Sequence, residues 1–115
     1  MATPLEQALS VFVDEADYVT AVHDLLTKWR LEIEGGYILD CYYNELMGKY
    51  SYTLMLGTKR VLGWDNAPHH PTLSTFPHHV HNPDGTIGSS KLNGDPAHDL
   101  ELVQQALLSF LQNST

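Results

Sequence analysis

The sequence has a single cysteine, Cys41, in 115 residues, so neither an internal disulfide nor a cysteine-based zinc site can be built from it. A reducing, cytoplasmic setting is the expectation that follows. Basic residues are scarce too, 6 Lys and Arg against 14 Asp and Glu, for a formal net charge of −8. A chain that grips a phosphate backbone over a broad surface carries the opposite balance. No uncharged apolar run approaches the roughly 20 residues that cross a bilayer. The opening Met1-Ala2-Thr3-Pro4-Leu5-Glu6 has neither the basic patch nor the apolar stretch of a secretion signal. Membrane contact and secretion are therefore not expected.

What is present suffices for one core. Apolar residues make up 43 % of the chain, with 3 Phe, 2 Trp and 6 Tyr, enough to offset the ordering entropy that keeps charge-rich chains unfolded. A single domain over 1–115 is the expectation. The charge is divided along it. All six basic residues lie between 28 and 91, where six acids balance them, while residues 1–27 carry five acids and 92–115 carry three, with no base in either. Such acid-only ends read either as solvated helix faces or as a surface for a basic protein partner.

The apolar residues Tyr18, Val19, Val22, Leu25, Leu26 and Trp29 recur at helical steps, which predicts an N-terminal helix from Asp14 to Trp29, with a short extra turn over Leu5, Ala8, Leu9 and Phe12. Strict alternation from Lys28 to Glu34 then predicts a half-buried strand with Trp29, Leu31 and Ile33 on one face. Gly35-Gly36 signals a hairpin into a strand over 37–44. Further strands are expected at 49–56 and 60–65, completing a meander. His78 to His81, the turn Asn82-Pro83-Asp84-Gly85 and Thr86 to Ser90 have the chemistry of a short hairpin. Asp95-Pro96 starts a C-terminal helix carrying Leu100, Val103, Leu107, Phe110 and Leu111. The fold class expected is α+β, an antiparallel sheet of about five to six strands with helices from both chain ends packed on it.

Five of the seven histidines fall within residues 69–81, where even scattering would place about one. Three chemistries fit them. His79 and His81 share a strand face and, with His69 or His70 and Asp65, offer ligands to a divalent metal such as zinc. Two imidazoles beside a phosphodiester can instead act as base and acid without metal. The third reading is structural, with ring nitrogens satisfying loop carbonyls. The catalytic candidates are accordingly Asp65, His69, His70, His78, His79 and His81. Arg60, Ser90 and Lys91 are candidates for holding a phosphate substrate, although no glycine-rich phosphate loop accompanies them. Cys41, in mid-strand, reads as a small buried residue.

The segments Lys49-Tyr50-Ser51-Tyr52, Trp64-Asp65-Asn66-Ala67-Pro68-His69-His70-Pro71 and Thr75-Phe76-Pro77-His78-His79-Val80-His81 resemble the signature of the TumE-type toxin family of toxin–antitoxin pairs. The resemblance covers roughly residues 26 to 91. It implies a small single-domain toxin with a cognate antitoxin protein as partner, and, together with the histidine chemistry, RNA as a substrate and ribonuclease as the activity. Two departures stand out: Val80 where a basic residue is expected, and Gly63-Trp64 in place of a basic-aromatic pair, both of which remove positive charge near the cluster. A homodimer is left open. The alternative from another class is a non-catalytic metal-binding or protein-interaction module.

Overall fold

A computed structural model describes residues 1–113, with helix α1 at Pro4–Glu15 and helix α2 at Pro96–Gln112. Between them run strands β1 (Val19–Asp24), β2 (Trp29–Ile33), β3 (Tyr37–Asn44), β4 (Lys49–Leu56), β5 (Lys59–Asp65), β6 (His79–His81) and β7 (Ile87–Ser89). They form one sheet of seven strands in chain order, each antiparallel to its neighbours. The α+β class holds, with more strands than the five to six expected.

The extra strand replaces the predicted helix over 14–29. Residues 19–24 pair with β2 as a strand, Val22 opposite Leu31 and Asp24 opposite Trp29. The steps of three and four run across a strand, a turn and the start of a second strand, and Leu26 in the turn takes a left-handed φ of 70°. The β-branched Val19, Thr20 and Val22 favour the pleated form once an alternating partner is beside them. The real first helix begins earlier, at Thr3-Pro4-Leu5-Glu6. Thr3 Oγ1 accepts the Glu6 amide at 3.1 Å and Glu6 Oε1 accepts the Thr3 amide at 2.9 Å, a reciprocal cap with Pro4 in the first turn.

Alternation sorts the two sheet faces. Leu31, Ile33, Leu39, Cys41, Tyr52, Leu54 and Trp64 point inward and are buried with Leu5, Leu9 and Phe12 of α1 and Leu100, Val103 and Leu107 of α2. Burying each such leucine contributes roughly 1.5–3 kcal/mol. Both helices lie on this side. The Tyr18 hydroxyl donates to the Gln104 carbonyl at 3.3 Å, and Phe110 meets Tyr37 edge-on at 5.6 Å. Asp95 stands at the N-cap of α2 without a side-chain cap bond. The buried Asp99 holds the entry instead, accepting the amides of Asn93 and Gly94 at 2.9 and 2.8 Å. Cys41 is buried, which pushes its thiol well above the ordinary range.

Among the described residues no helix covers the other face of the sheet, which carries the charged side chains of β2 and β3. Asp40 accepts Arg30 Nε at 2.8 Å and Nη2 at 3.1 Å, and Lys28 Nζ at 2.8 Å. Burial pushes the Asp40 carboxyl up, and the hydrogen bonds and charges of Arg30 and Lys28 outweigh it, so it ionises below its ordinary range. A carboxyl depressed in the folded state stabilises above its unfolded pKa and loses that contribution as pH falls through the folded value. Asp40→Asn should therefore cost roughly 1 kcal/mol at neutral pH, for a pair whose partners are partly exposed. Thermal melts should show the gap to the parent chain closing below about pH 4.

Candidate functional site

One row of the sheet builds the site. Tyr42 pairs with Ser51, Ser51 with Asp65, Asp65 with His79 and His79 with Ser89, so these side chains stand on the open face in a line across five strands. In the next row Gly63 pairs with His81. His79 and His81, two apart on β6, share that face because side chains alternate along a strand. The hairpin at Asn82–Gly85 holds β6 against β7, with Asn82 N donating to Thr86 O at 2.8 Å.

At the end of β5 the chain leaves the sheet. Asp65 Oδ1 accepts the Ala67 amide at 2.9 Å, which turns the backbone outward. Asn66 ties this corner to the start of β4, its Oδ1 accepting the Tyr50 amide at 3.1 Å and its Nδ2 donating to the Gly48 carbonyl at 2.7 Å. The loop then closes on itself before β6. Thr75 Oγ1 donates to the His78 carbonyl at 2.7 Å and accepts the Ser90 amide at 3.1 Å.

The result is a carboxylate between two imidazoles. His79 Nε2 lies 3.1 Å from Asp65 Oδ1 and His81 Nε2 lies 3.0 Å from Asp65 Oδ2. His79 Nδ1 is 3.0 Å from the Pro77 carbonyl. His70 meets His79 edge-on, with ring centroids 4.7 Å apart, and lies 6.4 Å from His81. The His79 side chain is 2 % exposed, His81 14 % and Asp65 20 %. Burial holds the His81 imidazole below its ordinary pKa, and the Arg60 charge adds to that, against the hydrogen bond and charge of Asp65, which pull it up. Its Nδ1 is buried with no partner among the described residues. One ligand atom each from Asp65, His79 and His81 can be chosen so that all lie within 4.8 Å of one another.

Above this trio opens a cavity of about 640 Å³, lined further by Lys49, Arg60, Asn66, His69 and His70. Gly63 makes room for Arg60: a Cβ there would stand 3.1 Å from Arg60 Cδ. Gly63 pairs with His81 on the open face, so a basic side chain there would have faced the cluster, and with glycine in its place the positive charge this strand brings to the cavity comes from Arg60. Val80, the other departure, pairs with Trp64 in the core-facing row and could not have presented a base here.

Of the candidates read from sequence, Asp65, His69, His70, His79, His81 and Arg60 line the cavity. His69 lies outside the close trio. His78 turns to the other side, stacked on Tyr50 with its Nδ1 2.8 Å from the Tyr50 hydroxyl. Ser90 is buried, its hydroxyl accepting the Leu92 amide at 3.1 Å, and neither it nor Lys91 lines the cavity. Lys49, Tyr42, Ser51 and Asn66 also line the cavity; Lys49, Ser51 and Asn66 lie within the segments that carry the family resemblance, without being singled out by it as site residues. Strand register could have found Tyr42 and Ser51, which stand in the row of Asp65.

Asn66 is the joint that holds Asp65 in place. Asn66→Ala strands the Tyr50 amide and the Gly48 carbonyl and should cost roughly 1–3 kcal/mol in a denaturant melt.

The whole chain was compared with known proteins. A family model described as Toxin TumE matches residues 1–114. No curated protein and no solved structure matches it. A match over nearly the entire chain, on a sequence whose histidine blocks meet in one site, settles the family: the chain belongs to the TumE toxins.

Proposed function

We propose that the toxin acts as a ribonuclease, with the Asp65–His79–His81 cluster as its reaction centre. The observation that carries this reading is the company the cluster keeps. On a chain of net charge −8, the cavity over the cluster is lined by Lys49 and Arg60, with Asp65 its sole acid among the described residues. Lys28 and Arg30 are already taken up by Asp40. The positive charge the chain leaves unpaired on its open face thus gathers where a phosphate would sit, and a short stretch of RNA needs no broader basic surface.

Cleavage of RNA moves a proton from the 2′-hydroxyl, forms its bond to the adjacent phosphorus and breaks the bond to the 5′-oxygen, which takes up a proton. The enzyme must handle those protons and hold the charge that builds on the phosphorus oxygens. Arg60 and Lys49 supply the second function. The carboxylate–imidazole cluster and the adjoining His70 supply the first. His69 lines the same cavity and contacts the flanking nucleotide in this reading, which commits to RNA and leaves its sequence preference open.

Expressed without its antitoxin, the chain should slow growth, and the purified protein should cleave RNA. Asp65→Asn keeps the shape of the side chain and should lower the cleavage rate at least a hundredfold while circular dichroism shows the fold intact. Arg60→Ala should weaken RNA binding about tenfold and flatten its dependence on salt. An Asp65→Asn protein that cleaves at the parent rate contradicts the assignment.

A toxin implies an antitoxin, and the charge map suggests where it docks. A groove of about 490 Å³ between α1 and α2 is lined by Glu15, Asp95 and Glu101 around Ala8, Phe12 and Leu100. In this reading a basic segment of the antitoxin covers it, on the side of the sheet away from the cluster. Neutralising Glu15, Asp95 and Glu101 together should weaken association with the antitoxin, and more at low salt than at high salt. Association indifferent to both would leave these acids as ordinary surface.

A further inference from the structure

His79 presents both ring nitrogens to acceptors, Nδ1 to the Pro77 carbonyl and Nε2 to the Asp65 carboxylate. A backbone carbonyl can only accept, so the 3.0 Å contact between His79 Nδ1 and the Pro77 carbonyl places a proton on Nδ1. In the neutral ring Nε2 is then a bare lone pair. That lone pair faces Asp65 Oδ1, a second acceptor, at 3.1 Å. Either a second ring proton on Nε2 or a bound metal ion would bridge that nitrogen and the carboxylate, on a ring that is 2 % exposed. We propose that a divalent transition-metal ion of the zinc class is held there by His79 Nε2, His81 Nε2 and the Asp65 carboxylate.

Three features of the chain fit such an ion. The Nε2–oxygen separations of 3.1 and 3.0 Å, one to each carboxylate oxygen, are near the spacing of about 3.3 Å between ligand atoms around a tetrahedral ion with bonds of 2.0–2.1 Å, and one ligand atom from each of the three residues lies within 4.8 Å of the others. The scaffold is rigid: His79 and His81 sit on one strand and Asp65 is the register partner of His79, so the ladder of β5 and β6 fixes all three. The bond from His79 Nδ1–H to a carbonyl is the support that orients metal-binding imidazoles and sets their tautomer.

The ligand set also selects the ion. Two imidazoles and one carboxylate suit zinc, manganese or iron and discriminate against magnesium and calcium, which prefer oxygen throughout. Three protein ligands leave a position open toward the cavity, as in catalytic sites and unlike closed structural ones. This inference deepens the ribonuclease reading, since a phosphate oxygen or a water could take that position.

The test uses the full chain without a histidine tag. Protein stripped with a chelator and dialysed is titrated with zinc chloride by calorimetry, and metal is counted by mass spectrometry after gel filtration. About one zinc per chain is expected, with a raised melting temperature. Asp65→Asn and His79→Gln should each weaken zinc binding at least a hundredfold, whereas His78→Ala, outside the cavity, should leave it unchanged. Because His79 is buried, Asp65→Asn is the variant that counts if His79→Gln fails to fold. Parent protein that retains no zinc, or an Asp65→Asn protein that binds it as the parent does, overturns the proposal. Full RNA cleavage by metal-free protein overturns it as well and leaves the ribonuclease reading standing. Stoichiometric zinc with no cleavage of any RNA supports the site and removes the ribonuclease.

Discussion

Most of what distinguishes this molecule depends on one carboxylate. Asp65 meets His79 through one oxygen and His81 through the other. Both contacts require β5 and β6 to be in their observed register, because a slip by one residue would turn the two imidazoles into the core. Bringing β6 back beside β5 requires in turn the loop over 66–78, which starts from an Asp65 turn and an Asn66 clasp and ends in the Thr75 hydroxyl contacts. The signature residues around Asp65 and His78 are thus parts of a single construction, two blocks that are distant in sequence and adjacent in the sheet.

The sheet divides the protein into two working sides. Both terminal helices close the same face, and the excess of acid lies in the chain ends that carry them, since residues 1–27 and 92–115 hold eight acids and no base, with Asp17 and Asp24 outside α1 in the loop and strand that follow it. Among the described residues the opposite face is left bare of helices and carries the charged side chains of β2 and β3. Buried Asp99 shows that the acid count overstates the surface charge of the helical side, because this carboxylate is spent on the loop before α2. An acidic helical side and a cluster-bearing open side give a toxin two separate surfaces, one for each of the partners proposed above.

Local alternation was legible in the sequence wherever a strand had one wet and one dry face. Trp29-Leu31-Ile33 and Tyr50-Tyr52-Leu54 placed β2 and β4 to within a residue or two, and the Pro-Asp-Gly turn placed the histidine hairpin. The stretch 18–29 misled because a bulged edge strand, a left-handed Leu26 and the start of β2 happened to space their apolar residues as a helix does. The spacing of Leu5, Ala8, Leu9 and Phe12 marks the buried stripe of the true first helix, and the capping chemistry of Thr3-Pro4-Leu5-Glu6 marks its start. Histidine density pointed to the cluster, and strand alternation put His79 and His81 on one face with His78 on the other, as the structure has them. Neither could show that Gly63 stands beside His81 and admits Arg60, since that follows from register between strands that a single sequence leaves implicit.

The central claim is that Asp65 organises His79 and His81. It is tested most directly by nitrogen-15 NMR of the histidine side chains. The account predicts a protonated, slowly exchanging His79 Nδ1, and Asp65→Asn should shift the Nε2 resonances of His79 and His81 while those of His23 and His98 stay in place. A His79 ring that carries its proton on Nε2 alone, or an Asp65→Asn spectrum in which neither ring moves, would contradict it.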